Sequence, residues 1–138
     1  MNNILRTLLE GFLSGSSPES KCTSYSNYGT RTGFCSNTSS NLTMYNDYGN
    51  RVGYTRKSTY GYVAYNDSGQ RKASYHKRVD GYDIYDEYGS KIGYMRKQQY
   101  GMMYKYDRYG VCTGYIREDA SGRKTEYDRY GRCIGYLN

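Results

Sequence analysis

The first 14 residues carry apolar side chains at helical spacing. They fall in pairs four residues apart, which is the pattern of one face of an amphipathic helix. A helix this short is marginal alone, so its apolar face needs a surface to cover. We therefore predict a helix over residues 1–14 that either caps the repeats after it or docks on a partner. Its apolar residues are Ile4, Leu5, Leu8, Leu9, Phe12 and Leu13.

A tandem repeat occupies the rest of the chain. The small and polar run SGSSPES indicates a linker over residues 15–21. Residues 22–138 then repeat every 20 or 21 positions, and each repeat has one anchoring tyrosine. The six anchors are Tyr25, Tyr45, Tyr65, Tyr85, Tyr106 and Tyr127.

Each anchoring tyrosine is followed by a turn signature. A Ser, Asn or Asp comes next and a glycine three residues later, which is typical of a type I turn. An extended run follows, so we predict a three-residue hairpin loop with a bulge at the glycine. The first turn begins at Ser26, and the others begin at Asn46, Asn66, Asp86, Asp107 and Asp128. The turn glycines are Gly29, Gly49, Gly69, Gly89, Gly110 and Gly131.

Alternation within the hairpins predicts which face is buried. In the second repeat, it places Met44, Val52 and Tyr54 on the core face and Tyr45 and Arg51 on the opposite face. A glycine recurs before each aromatic residue of the second strand, and we expect it to leave room for a neighbouring tyrosine ring. Leu, Ile, Val and Phe supply only 17 of the 138 residues, whereas there are 21 tyrosines. These numbers indicate a tyrosine-based core.

The fold class that follows is all-β. One hairpin cannot bury its own face, but six hairpins stacked in order can. We expect an elongated stack of about six hairpins with the N-terminal helix at one end. Because such a stack has open ends, self-association is an expected property.

Some repeats resemble a known family. YKYDRYG at 104–110, TEYDRYGR at 125–132 and, more loosely, YDEYGS at 85–90 are similar to the YD repeats of Rhs-type and teneurin-type shells. YGNRVGY at 48–54 also resembles the hairpin of MORN repeats. The period is similar to that of choline- and glucan-binding repeats, which depend on tryptophan, and this chain has none. The resemblance implies stacked β-hairpins and no particular activity.

The basic residues form two series along the repeats. The net charge is +7, which suits acidic partners such as nucleic acid or anionic lipid. Arg31, Arg51, Arg71 and Lys91 follow the turn glycines and should lie opposite anchoring tyrosines, where cation–π contact is possible. Acids in the neighbouring turns should balance them, so we interpret this first series as structural.

The second basic series lies at the opposite turns and has fewer acids beside it. Interleaved with Tyr60, Tyr75 and Tyr100, it fits an edge that binds single-stranded nucleic acid or another anionic surface. It also fits a hairpin edge that Lys and Arg protect against aggregation, which is the interpretation that we favour from the sequence. The series comprises Arg56, Lys57, Lys77, Arg78, Arg96, Lys97 and Arg117.

Cysteine and histidine usage gives little support for catalysis or metal binding. We expect Cys112 and Cys133 to be free thiols, and Cys22 and Cys35 to lie on opposite faces without a bridge. His76 is the only histidine, and the carboxylates are assigned to turns. We therefore expect no enzyme, no metal site and no cofactor.

Together these patterns favour a structural or protein-interaction module with a protein partner or a second copy of itself. Nucleic-acid or anionic-surface binding and glycan binding by exposed tyrosines are the alternatives. No run approaches the length of a membrane span, and Arg6 and Glu10 interrupt the apolar N-terminus, so no secretory signal is evident. The expected location is the cytoplasm.

Overall fold

The computed structural model describes residues 21–37 and 41–138, and every regular element in these ranges is a β-strand. The predicted helix over residues 1–14 lies outside this part of the chain. The strands are β1 (Lys21–Ser26), β2 (Arg31–Asn37), β3 (Asn41–Asn46), β4 (Arg51–Lys57), β5 (Gly61–Asn66), β6 (Arg71–Arg78), β7 (Gly81–Asp86), β8 (Lys91–Lys97), β9 (Met102–Asp107), β10 (Cys112–Glu118), β11 (Lys124–Asp128) and β12 (Cys133–Leu137).

The strands form a closed antiparallel barrel. Each strand pairs with its neighbours in sequence, and β12 pairs back with β1, with Tyr25 opposite Tyr136. The all-β prediction is confirmed, but the elongated open stack is wrong. At the closure, the last hairpin meets the first through the same kind of contact that joins consecutive hairpins.

That contact is a pair of stacked aromatic rings on the outer face. Tyr25 and Tyr136 lie 4.8 Å apart, centroid to centroid, in the offset stacking range. The other junctions between hairpins have the same pairing at 4.8–5.0 Å, except the one between β6 and β7. There Ser74 lies opposite Tyr85, and the ring of His76 packs on Tyr85 at 4.4 Å instead. The third repeat, which has Ser74 where the others have an aromatic residue, thus keeps a ring contact through His76.

The six turns after the anchoring tyrosines have nearly identical geometry. Their glycines have φ between +82° and +85°, which only glycine adopts without strain. In the second turn, Gly49 N–H donates to Asn46 O, and Asn46 N–H donates to the Asn50 carbonyl. The Asn46 side-chain oxygen accepts from the backbone N–H groups of Tyr48 and Asn50, both at 3.0 Å. Turn and loop thus have the geometry that the spacing indicates.

A second bulge in each hairpin reverses part of the predicted face assignment. Tyr45 lies opposite Arg51 as predicted, but Met44 lies opposite Gly53, so Val52 is the extra residue of a bulge. Beyond it the alternation is shifted by one residue. Tyr54 therefore lies on the outer face, stacked on Tyr65, and not in the core. All six hairpins have this register shift.

The recurring glycine before each aromatic residue has a different role from the one expected. A methyl group on Gly33, Gly93 or Gly114 would overlap a backbone carbonyl oxygen of the neighbouring strand, and on Gly135 it would lie 2.6 Å from the Tyr25 oxygen. Real side chains essentially never make such contacts. Glycine is favoured at these four positions because two backbones approach closely, not because a tyrosine ring covers it.

The core lies inside the barrel and is aliphatic rather than tyrosine-based. Tyr75 is the one tyrosine among the buried apolar residues described, while the stacked rings cover the outer wall. The prediction of a tyrosine core was wrong because the bulges turn these rings outward. The buried apolar residues are Cys35, Leu42, Met44, Ala64, Ala73, Tyr75, Ile84, Met95, Met103, Ile116 and Leu137.

The cysteines differ in part from the prediction. Cys22 and Cys35 lie opposite each other on the inner face, 5.0 Å apart between Cα atoms, and form a disulfide. Their predicted separation onto opposite faces was wrong because the bulge shifts the register of β2 by one residue. Cys112 and Cys133 are free thiols, as predicted.

Candidate binding surfaces

The barrel has two rims of different chemistry. Because consecutive turns alternate between the ends, the six tyrosine–glycine turns gather at one end, which we call the turn rim. Its loops are 27–30, 47–50, 67–70, 87–90, 108–111 and 129–132. The described loops of the other end, which we call the basic rim, are 58–60, 79–80, 98–101 and 119–123.

All seven residues of the second basic series lie at the basic rim, just before its loops. Arg56, Lys57, Lys77, Lys97 and Arg117 are exposed, and none of them forms an ion pair within the part of the chain that the structure describes. A closed barrel has no free strand edge. Protection against edge-to-edge pairing therefore does not explain these charges.

Arg78 and Arg96, the other two members of the series, converge on Asp83. The Asp83 carboxylate is 5% exposed and accepts from Arg78 Nε at 2.6 Å and Arg96 Nη2 at 2.9 Å, with Lys91 Nζ at 3.5 Å. Burial raises the pKa of Asp83, but the hydrogen bonds from Arg96 and Arg78 outweigh it, so the pKa is lowered overall. Asp83 in turn raises the pKa of Arg78. These two arginines therefore hold the buried Asp83 carboxylate in addition to contributing positive charge to the basic rim.

Aromatic side chains accompany the basic rim. Tyr60 and Tyr100 are largely exposed, whereas Tyr75, which the sequence pattern groups with them, is fully buried in the core. A surface groove of about 410 Å³ runs from Tyr100 down the outer wall. It is lined by Gln98, Gln99, Tyr100, Met102, Tyr104 and Tyr106. Flat rings beside unpaired cations are suited to planar anionic ligands.

Two members of the first basic series, Arg31 and Arg51, form ion pairs with acids of the turn rim. Arg31 Nε donates to Asp47 at 2.6 Å, and Arg51 Nε donates to Asp67 at 2.7 Å, so each arginine reaches the turn of the next hairpin. The cation–π contacts are also present, with Arg31 5.6 Å from the ring of Phe34. The ring involved is on the same strand and is not the anchoring tyrosine that the sequence indicated.

A ring of exposed tyrosines on the turn rim was not predicted from the sequence. One tyrosine sits at the third position of five of the six turns, with 75–89% of its surface exposed. In the sequence these residues are the second tyrosine of runs such as YNDYG at 45–49. They were not singled out because the turn does not need a tyrosine at this position. We call these residues the tyrosine crown: Tyr28, Tyr48, Tyr88, Tyr109 and Tyr130.

Neither a search for metal-binding clusters and membrane helices nor comparison with known proteins identifies a function. Residues 21–37 and 41–138 contain no cluster of three or more His, Cys, Asp or Glu side chains that could hold a metal ion. Within the same ranges there is no helix of the length and apolarity needed to cross a membrane. Comparison with models of known protein families finds no match, and neither does comparison with curated protein sequences.

Proposed function

We propose that this chain is a non-enzymatic binding module that holds a single-stranded nucleic acid at its basic rim. The observation that carries the proposal is the gathering of the second basic series at one end of a closed barrel, with five of its side chains exposed and free of ion pairs among the described residues. The disulfide and the stacked rings make the platform rigid, so little ordering of the protein is needed on binding.

The geometry fits periodic contacts with a phosphate chain. Lys57, Lys77 and Lys97 hold equivalent positions on alternate strands, so they repeat every ~9.6 Å, two strand spacings apart. Phosphates along one nucleic-acid strand lie closer together than this, so successive lysines would meet every second phosphate or so. Tyr60 and Tyr100 supply faces on which bases can stack between these contacts.

We expect the purified protein to bind mixed-sequence single-stranded RNA or DNA at micromolar concentration in low salt, with log K falling linearly with log salt. Replacing Lys57, Lys77 and Lys97 by Glu should weaken binding about 100-fold and reduce the salt slope by about 2, since each neutralised phosphate of a single strand contributes about 0.7 to the slope. Fluorescence anisotropy across a salt series measures both quantities.

The matched control reverses three charges at the other end. Arg71, Arg108 and Arg129 lie at the turn rim and are exposed, so replacing them by Glu changes the net charge by the same amount. This variant should keep at least a third of the affinity. An equal reduction in both variants would mean that overall charge and not the basic rim is responsible, and no binding at low salt would exclude nucleic acid.

A second candidate function, glycan binding, is favoured by the tyrosine crown. The third turn folds with Ser68 in place of the tyrosine and keeps the bond from Gln70 N–H to the Asn66 side chain at 2.8 Å. The turn therefore does not need the ring. Tyrosine offers a large, stiff and amphipathic contact surface, and rings about two strand spacings apart suit repeated weak contacts with a polysaccharide better than one continuous apolar patch.

The tyrosine crown can be tested without disturbing the fold, because Ser68 shows what each turn tolerates. We expect Tyr48→Ser combined with Tyr88→Ser to leave the melting temperature within about 2 °C, since the two rings are almost fully exposed. Retardation in gels containing soluble polysaccharides should fall at least fivefold and should be insensitive to salt. Unchanged retardation, or none in the wild type, would remove this candidate.

A further inference from the structure

The inside of the barrel has two apolar walls that do not meet. Among the described residues, one group of buried side chains runs along β5 to β10 and includes Ile84, Met95 and Met103. The other lies on β2, β3 and β12 and includes Leu42 and Met44. Met44 and Met95 are both fully inaccessible although they belong to different groups. Side chains on the inner face of the barrel point toward its axis. The strand that carries such a side chain does not cover it on that side.

A barrel of twelve strands is too wide to be filled by these side chains. Eight strands leave an interior just large enough for side chains to fill, and the diameter grows with strand number. Eleven-stranded barrels accommodate a helix along the axis. The inner positions here include small residues such as Ser24, Ala64 and Ala73, and glycines such as Gly93 and Gly114, which makes the unfilled space larger.

We propose that residues 1–14 of this same chain occupy the barrel interior as an amphipathic helix. A helix of this length is ~21 Å long, which is close to the ~20 Å length of the strands of about six residues that form the wall. β1 begins at Lys21 at the basic rim, and residues 15–20 span at most ~20 Å, so the tether reaches the interior from that rim. The apolar face of Leu5, Leu8, Leu9 and Phe12 matches the two apolar walls.

The polar face of the segment also has a counterpart. Beside the apolar side chains, the inner surface also carries polar groups, namely Ser24 on β1 and the ion pair between Lys105 on β9 and Glu126 on β11. Glu126 Oε2 is buried and accepts no hydrogen bond, which is costly unless a donor reaches it. Arg6 and Glu10 lie on the polar face of the segment and would face these polar groups, with Arg6 supplying a donor.

Methyl NMR on the full-length protein tests the placement directly. With Leu and Met methyl groups labelled, we expect nuclear Overhauser effects from Leu8 or Leu9 methyls to the ε-methyls of both Met44 and Met95. These effects should persist when labelled protein is diluted with unlabelled protein, because they arise within one molecule. Nuclear Overhauser effects that arise only between differently labelled molecules would assign the segment to a dimer and overturn the proposal. Absence of effects to Met44 or to Met95 would also overturn it.

A pair of substitutions on the two faces of the segment provides an independent test. Leu9→Asp places a charge against the apolar walls and should lower the melting temperature by about 10 °C. Thr7→Asp adds the same charge on the polar face and should change it by less than about 2 °C. Equal effects of the two substitutions would overturn the proposal, and neither substitution touches the residues assigned to nucleic-acid binding.

Discussion

Replacing Gly135 by Ala is expected to lower the free energy of unfolding by about 3 kcal/mol, a large effect for one methyl group. A Cβ at this position would lie 2.6 Å from the carbonyl oxygen of Tyr25, across the seam between β12 and β1. The oxygen is a backbone atom and the Cβ is bonded directly to the backbone of β12, so neither can move without separating the strands. The stacked pair of Tyr25 and Tyr136 spans the same seam and would be displaced with it.

The matched control is Gly49→Ala, in a turn at the end of the barrel. Gly49 has φ of +85°, but a Cβ there would meet no atom within 4 Å. Only the conformational cost of a left-handed residue applies, about 1 kcal/mol. Urea unfolding of both variants measures the difference. Equal costs would show that backbone approach at the seam is not what selects glycine, and that β12 and β1 separate easily.

The hairpin unit could be predicted from the sequence because its signals are local. The sequence Tyr-Asn-Asp-Tyr-Gly at 45–49 determines the turn, since Asn46 accepts backbone hydrogen bonds and Gly49 takes a positive φ. The pairing of Tyr45 with Arg51 follows from that loop. The period of the repeat then gives the number of hairpins in the described region.

The faces and the closure could not be predicted because they depend on features that the local signals do not carry. The bulge at Val52 adds one residue, and a shift of one residue moves every later side chain to the other face. Because the bulges were not predicted, Tyr54 was assigned to the core face instead of the outer face, and Cys22 and Cys35 were assigned to opposite faces. Closure depends on accumulated strand tilt and twist around six hairpins, whereas the repeat pattern carries information only about neighbouring hairpins.

The candidate site was predictable in composition but not in arrangement. The second basic series could be recognised from its spacing, and the barrel collects it on one rim. The role of Asp83 was missed because a single Asp in a strand gives no sign that two arginines from neighbouring strands will converge on it. The tyrosine crown was missed because exposed residues leave no hydrophobic periodicity.

The cluster around Asp83 carries the second large effect. Asp83→Asn keeps the shape of the side chain but leaves Arg78, Arg96 and Lys91 without the buried negative charge that they share. Removing one partner of a buried ion pair costs about 3–5 kcal/mol. Because Arg78 and Lys91 are about half exposed, water screens part of that cost, so we expect a decrease of about 2–3 kcal/mol in the free energy of unfolding at pH 7, measured with urea.

The same cluster has a predictable pH dependence. The pKa of Asp83 in the folded protein is lowered from 3.8, while in the unfolded chain it stays near ~3.9. The unfolded state therefore binds the proton more tightly, and the contribution of Asp83 to stability is complete above about pH 4 and is lost as pH falls through the folded pKa. The difference in stability between wild type and Asp83→Asn should be constant from pH 7 to 5 and should narrow only below about pH 4.

Asp47→Asn distinguishes this cluster from an ordinary surface pair. Asp47 accepts from Arg31 at 2.6 Å, but both side chains are exposed, so its removal should cost less than about 1 kcal/mol at pH 7. A similar cost for Asp47→Asn and Asp83→Asn would mean that burial adds nothing to the Asp83 cluster. If instead the difference for Asp83→Asn widened as the pH fell below 4, the pKa of Asp83 would be raised in the folded state, and burial would outweigh the two arginines.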